Sequence, residues 1–288
     1  MTEKTTDDAS TVLLVGASGA VGRHLGLQLA AAGVRVRALT RHPDRARQRG
    51  FVQGDLRDPR SLRAAAHGAD AAFLSWPFAT AEGAERAVAA LAGEVGRVVF
   101  LSSAAVRDAP GAGPHSPGRP HGGIEALLAD SGVRHTALRP YGFAGDALRW
   151  AEEIRAGGPV RGYGGAAGLN PVDERDVAAV AVRALTEDGH DGARHVLTGP
   201  ESPTQAEQVR IIGEAAGRAV RWEEVPRGAA RRRMLTAGWP PAVADGALDS
   251  VHARIAAPEP VTDTVQDVTG HPARSFRAWA ADHAALFR

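Results

Sequence analysis

Val12-Leu13-Leu14-Val15-Gly16-Ala17-Ser18-Gly19-Ala20-Val21-Gly22 is the stretch from which the rest of the chain is read. Its four leading apolar residues suit a strand buried on both faces, as in a parallel sheet. The glycines that follow suit a tight turn. From Val21 the apolar residues recur at helical spacing (Val21, Leu25, Leu29) until Gly33, which suits a helix stop. Glycine is needed where a backbone turns sharply, where it approaches a pyrophosphate, and where a helix packs on a strand. The start of the helix then offers free N–H groups and a partial positive charge. The segment predicts a dinucleotide-binding turn within a βαβ unit.

Working outward, the same rhythm continues. Strand candidates at Val34–Leu39, Phe51-Val52, Ala71–Leu74, Val98–Leu101 and Thr136–Leu138 alternate with helix candidates at Pro59–Ala66, Ala81–Leu91 and Ile124–Ala129. Strict alternation means an α/β fold, a Rossmann-like doubly wound parallel sheet. Pro110 to Pro120 holds four prolines and three glycines and reads as a loop. After Pro140 the rhythm breaks. Gly157 to Gly168 carries six glycines and reads as a loop with short strands. A helix at Asp176–Leu185 and a strand at His195–Leu197 follow, then helices at Gln205–Ala216, Arg227–Ala237 and Ser275–Phe287. In the last of these, Phe276, Trp279, Ala280, His283 and Phe287 form a stripe expected to pack in a core. The expected organisation is a disordered tail at 1–10, a dinucleotide-binding domain at 11–198 whose residues 140–170 contribute to a substrate cleft, and a smaller helical substrate region at 199–288.

Composition narrows the function. The chain has 288 residues, 44% hydrophobic and 23% charged, with 34 Lys+Arg against 33 Asp+Glu. That near-neutral balance argues against nucleic acid or an anionic membrane as partner. There is no cysteine, which removes disulfides, thiolate nucleophiles and cysteine metal sites together. The eleven histidines are scattered, without His-x-His or His-x-x-x-His pairs, so no metal is expected. No apolar run reaches the roughly 20 residues of a spanning helix, and Met1–Ser10 has no apolar signal core. A cytoplasmic protein, monomer or homodimer, acting on a small molecule is the expectation.

The end of the second strand bears on the coenzyme. NAD-preferring folds place an acid about 20 residues beyond the glycines. Here the segment is Leu39-Thr40-Arg41-His42, with no acid before Asp44. A guanidinium there suits the 2′-phosphate of NADP, so NADPH/NADP is expected over NAD. Asp55 would accept from the adenine amino group or serve as a helix N-cap. Arg231-Arg232-Arg233 reads as a solvated helix face, or as a contact for an acidic partner.

Taken together, the glycine turn, Thr40-Arg41, Gly54-Asp55-Leu56, Leu101-Ser102-Ser103, Leu138-Arg139-Pro140 followed by Phe143, and Pro171-Val172 with Asp176-Val177-Ala178 resemble the NmrA-like, atypical short-chain dehydrogenase/reductases. The resemblance covers essentially the whole chain. It implies that Gly16, Ser18, Gly19, Ala20, Val21 and Gly22 surround a pyrophosphate and that Arg41 meets the 2′-phosphate. It implies that Asp55 and Leu56 flank the adenine, and that Ser75, Trp76 and Pro77 line the ribose and nicotinamide side. Ser102 and Ser103 would face the reaction centre, with Pro140, Tyr141 and Phe143 bordering the nicotinamide. An apolar substrate wall would draw on Trp76, Phe78, Tyr141, Phe143, Trp150 and Met234, with His115 close by.

The Tyr-x-x-x-Lys pair of many short-chain enzymes, which protonates a carbonyl as hydride arrives, is missing. The two tyrosines are Tyr141 and Tyr163, neither followed by lysine four residues on, and the only lysine is Lys4. Three readings follow. His121 or His115 donates the proton while Ser102 or Ser103 holds the substrate oxygen, with Tyr141 as a further catalytic candidate. Or hydride goes to a conjugated acceptor, an enone or quinone, which needs no strong protein acid. Or the protein binds NADP without catalysis, as a sensor. Non-redox cyclisation or dehydration is a further alternative. The leading expectation is an NADPH-dependent oxidoreductase acting on a small apolar carbonyl, enone or quinone, with secondary metabolism as its setting.

Overall fold

The computed structural model describes residues 10–106 and 119–288. Residues 1–9 of the expected tail, most of the Pro110–Pro120 loop and His115 lie outside the described residues. The strands are β1 (Thr11–Val15), β2 (Arg35–Thr40), β3 (Phe51–Gln53), β4 (Ala71–Ser75), β5 (Arg97–Leu101), β6 (Arg134–Pro140), β7 (Val160–Gly162), β8 (Arg194–Leu197) and β9 (Trp222–Glu224). The helices are α1 (Ala20–Ala31), α2 (Pro43–Ala46), α3 (Pro59–Ala66), α4 (Ala84–Ala92), α5 (Arg119–Asp130) and α6 (Ala151–Arg155). They continue with α7 (Glu174–Thr186), α8 (Gln205–Ala216), α9 (Arg227–Thr236), α10 (Pro241–Ala256), α11 (Thr264–Thr269) and α12 (Phe276–Asp282). The described residues divide into two compact units. The first holds those up to 106, 119–139 and 177–196, and the second holds 140–176 and 197–288.

The first unit is built on a seven-stranded sheet in the order β3-β2-β1-β4-β5-β6-β8. Every ladder from β3 to β6 is parallel, with Leu13 opposite Arg37 on one side and Ala72 on the other. The apolar runs read from the sequence are the central strands. All five residues of β1 are buried, as are Val98, Val99 and Phe100 of β5. Strand β2 alternates because Arg37 turns outward and donates to the carbonyls of Ala65 (2.9 Å) and His67 (2.7 Å). The strand order reverses between β1 and β4, and a crevice opens at the carboxyl ends there.

The second unit packs Trp279, Phe276, Ala280 and Phe287 against Val209, Ile212 and Ile154. The expected aromatic stripe is thus core, with Phe276 stacked on Trp279 at 5.5 Å. The glycine-rich run is explained by Trp222 of β9. A Cβ on Gly162 or Gly165 would come within 2.2 or 2.3 Å of its indole. The bare N–H groups of Gly164 and Gly165 donate to Glu224 at 2.6 and 2.8 Å. Four of the five tryptophans (Trp150, Trp222, Trp239, Trp279) belong to this unit and only Trp76 to the first.

Several boundaries differ from the sequence reading. Helix α5 starts at Arg119, so Pro120 is helical. Proline lacks only an N–H that the first turn leaves unpaired anyway. Helix α4 starts at Ala84 rather than Ala81, because Gly83 turns the chain with φ 81°. The last helix stops at Asp282 and a 3-10 turn covers Ala284–Phe287. Strand β9 and helix α10 were not expected. Pro240-Pro241 and Gly246 argue against a helix, and α10 buries only Ala244 and Leu248, too little for a readable stripe.

Acidic and basic groups tie the second unit together. Arg274 donates to Asp173 (2.9 Å) and Asp282 (2.6 Å), Arg175 donates to Asp282 (2.6 Å), and the Arg274 N–H donates to Asp176 (2.7 Å). Burial pushes the Asp176 carboxyl up to about 6, against the lowering effect of that N–H. An unfolded aspartate ionises near 4. Between those values the folded chain holds a proton the unfolded chain has lost, so stability falls as pH rises from about 4 through about 6. Asp176→Asn will flatten this slope, checked by urea midpoints at about pH 4.5 and about pH 7.5.

Candidate functional site

The glycine turn closes on itself within the first unit. The Gly19 N–H donates to the Gly16 carbonyl at 3.0 Å, and the Arg23 N–H to the Gly19 carbonyl at 3.0 Å. Gly16 has φ +98°, and a Cβ there would meet the Ser75 Cβ at 2.8 Å. A Cβ on Gly22 would lie 2.1 Å from the Gly16 carbonyl oxygen. Helix α1 begins at Ala20 with Gly19 as N-cap, no side-chain cap and no acid in its first turn. Its leading N–H groups and its positive dipole end are therefore open to an anion.

Beside this turn lies a cavity of about 430 Å³. Gly16 to Gly19 form one wall and Leu39 to His42 with Arg45 a second, while Gly54 to Leu56, Ser75, Pro77 and Phe78 complete it. Arg41 is exposed and has no ion-pair partner among the described residues. The Asp55 carboxylate accepts from the Arg57 N–H at 2.9 Å. Helix α3 is capped by Asp58 instead, which accepts from Arg60 N at 3.0 Å. Asp55 is therefore not an N-cap, which corrects that alternative. The Arg57 guanidinium lies 4.4 Å over the Phe78 ring. Apolar faces at Leu39, Leu56 and Phe78, a carboxylate, an anion cradle and a free guanidinium fit an adenine dinucleotide phosphate.

Other expected site residues are placed differently. Ala20, Val21 and Gly22 are not among the lining residues; Ala20 is exposed, and Val21 and Gly22 are buried on α1. Trp76 is buried, its Nε1 donating to the Thr80 carbonyl at 2.7 Å and its ring edge-on to Phe78 at 5.0 Å. It supports Phe78 and does not line the cavity. Ser102 is buried, and its hydroxyl donates to the Glu125 carboxylate. Glu125 is in turn held by Arg139, Nε at 3.0 Å and Nη2 at 2.5 Å. Ser102 thus lies inside a buried polar network. The Ser103 hydroxyl accepts from the Ala105 N–H at 3.2 Å. His121 stacks on Phe100 at 5.9 Å, and its buried Nδ1 has no hydrogen-bond partner among the described residues. Burial lowers its pKa below the usual histidine value, against the raising effect of Glu125, so the ring is neutral at pH 7.

The second unit has its own cavity, of about 490 Å³. Tyr141 and Phe143 line it, as does Met234, and the Tyr141 hydroxyl donates to Glu259 at 3.2 Å. Pro140 is buried. Trp150 is not in this lining. It is buried edge-on to Trp222 at 6.0 Å, which corrects its expected place in a substrate wall. The sequence reading missed Arg149, Tyr163, Gln205, Arg254 and Glu259, all of which line the cavity. They come from five separate segments, and no spacing links them. Arg231, expected on a solvated face, forms a bidentate pair with Asp245 at 2.7 and 3.0 Å. Among the described residues no cluster of three or more His, Cys, Asp or Glu could hold a metal, and no helix is long and apolar enough to cross a membrane.

A family model described as NAD(P)H-binding matches residues 16–188. The chain is 43% identical to the (4-alkanoyl-5-oxo-2,5-dihydrofuran-3-yl)methyl phosphate reductase of Streptomyces griseus, over 96% of this chain and 99% of that one. It is 35% identical to the NAD(P)H azoreductase of Xenophilus azovorans, again over 96% and 99%. The solved NADPH-dependent quinone oxidoreductase QOR2 of Escherichia coli shares the fold, with a TM-score of 0.78 at 23% identity, over 96% of this chain and 100% of that one.

Proposed function

Because the chain belongs to the NAD(P)H-binding family of NmrA-like, atypical short-chain reductases and is an NAD(P)H-dependent oxidoreductase, we propose that its substrate is a small molecule with an electron-poor conjugated double bond, an enone or a quinone. The observation that carries this reading is the state of the proton donors. The Tyr-x-x-x-Lys pair is missing from the sequence, the Ser102 hydroxyl is engaged by Glu125, and the His121 ring is desolvated towards neutrality. A simple ketone becomes an alkoxide on reduction and needs a strong acid at hand. A conjugated acceptor becomes a delocalised anion, which water can protonate. The relatives fit this pattern. One is named for a dihydrofuranone carrying an alkanoyl group on its ring double bond, the other for azo compounds.

NADPH, bound, supplies the hydride. The residues that would hold it are those of the cradle. The turn at Gly16–Gly19 and the uncapped start of α1 receive the diphosphate. Arg41 meets the 2′-phosphate, and Arg45 in the same wall adds a second cation. Leu39, Leu56 and Phe78 supply apolar faces for the adenine. Ser75 and Pro77 continue the wall from the end of β4.

Two measurements test this. With NADPH, a 1,4-quinone or an acylated butenolide will be consumed, seen as loss of nicotinamide absorbance, and saturated ketones will not. Equal rates on saturated ketones would sink the conjugated-acceptor reading. Arg41→Ala will weaken NADPH binding by about 10- to 100-fold, the worth of a charge-assisted hydrogen bond, and leave NADH binding nearly unchanged. Equal losses for both coenzymes would remove Arg41 from the 2′-phosphate.

A further inference from the structure

The cavity of the second unit is lined by two guanidiniums that form no ion pair among the described residues. Arg149 lines it with its guanidinium 4.3 Å over the Trp150 ring, while its Nη2 donates to Gln205 Oε1 at 3.1 Å. Gln205 is itself fixed, its Nε2 donating to the carbonyls of Tyr163 (3.1 Å) and Gly164 (2.9 Å). The guanidinium is therefore held in one plane, with one of its five N–H donors spent on a neutral group. No carboxylate lies within 4.0 Å of it among the described residues. The side chain is exposed, so its remaining donors are open to a ligand. Arg254, from the last turn of α10, lines the same cavity and likewise has no ion-pair partner among the described residues.

The two acids in this lining are already engaged. Asp146 accepts from the Phe143 N–H at 3.2 Å, and Glu259 accepts from the Tyr141 hydroxyl. The same lining has apolar residues, Met234, Trp239, Leu248 and Val251, supplied by α9, α10 and the turn between them. An oriented guanidinium without an ion-pair partner is a place where an anion gains charge-assisted hydrogen bonds.

We infer that this cavity selects an amphiphilic phosphate monoester, with Arg149 as the anchor for the phosphate, Arg254 as a second cation, and the α9–α10 wall as the seat of an aliphatic chain. A phosphate dianion answers two guanidiniums, whereas a carboxylate answers one. The inference rests on the reductase reading for the use of the site, but its binding step is independent of turnover.

The test uses full-length protein saturated with NADP, so that the coenzyme cradle is filled. Hexyl phosphate, hexanol and heptanoate are titrated by calorimetry. Hexyl phosphate is expected to bind at least about tenfold more tightly than hexanol, and more tightly than heptanoate. Arg149→Gln, and separately Arg254→Gln, will each weaken hexyl phosphate and leave hexanol unchanged, while the unliganded melting temperature shows that each variant folds. Hexanol binding as tightly as hexyl phosphate, heptanoate binding more tightly, or Arg149→Gln without effect in folded protein would each overturn the assignment. If quinones and butenolides are not reduced but hexyl phosphate still binds through Arg149, the redox reading fails and this one stands.

Discussion

Arg139→Met will lower the unfolding free energy by about 3–5 kcal/mol, the usual cost of stranding one member of a buried ion pair. The side chains of Arg139 and Glu125 are only 5% and 7% exposed. Removing the guanidinium leaves a carboxylate that still accepts from the Ser102 hydroxyl and otherwise has only Arg194, 3.8 Å away, as a cation among the described residues. The effect reaches three elements, because Ser102 follows β5, Glu125 lies on α5 and Arg139 on β6. The double change Arg139→Met with Glu125→Leu will recover most of the loss, since an apolar pair of similar volume replaces the ions at little net cost. Urea unfolding followed by circular dichroism measures both. A loss under about 1 kcal/mol for the single variant would show that the pair behaves as a surface salt bridge does.

Gly22→Ala will cripple coenzyme binding. The added methyl would sit 2.1 Å from the Gly16 carbonyl oxygen and 2.9 Å from the Ala17 Cα, both backbone atoms. The turn must open or α1 must shift, and either moves the N–H groups that face the diphosphate. Overpacking of this kind costs about 1–3 kcal/mol. Expressed wholly in binding, that range is about 5- to 150-fold in the NADPH dissociation constant. Gly26→Ala, four residues on in the same helix, is the control. Its methyl would lie 3.5 Å from Leu14 Cδ2 in ordinary contact, and it will leave binding unchanged while gaining up to about 1 kcal/mol of helix propensity. If both variants bind NADPH like the parent, the turn is not the diphosphate site.

The parts of this molecule that were legible beforehand are those governed by neighbours in sequence. A buried strand, a glycine turn and an amphipathic helix stand within Val12–Leu29, so the sheet and its first crossover could be read off directly. Arg41 was legible for the same reason, as the residue at the end of the next strand. Ser102 shows the limit. Its place after β5 could be read, but its hydroxyl is committed to Glu125, 23 residues away, which is itself held by Arg139, and only the folded sheet brings the three together. Trp150 is similar: it was expected in an apolar cavity wall, and its contact with Trp222, 72 residues away in the chain, turns it into core. The arginines of the second cavity carried no local signal, because Arg149 sits in a 3-10 turn and Arg254 on a helix that buries two residues.

The uneven sharing of indoles gives the molecule a spectroscopic bias. With Trp150, Trp222, Trp239 and Trp279 in one unit and Trp76 alone in the other, ultraviolet emission is chiefly a gauge of the second portion. Backbone dichroism weighs both portions. Where the two optical traces separate on heating, the emission curve belongs to that portion, and the difference between curves dates the melting of the coenzyme-carrying sheet.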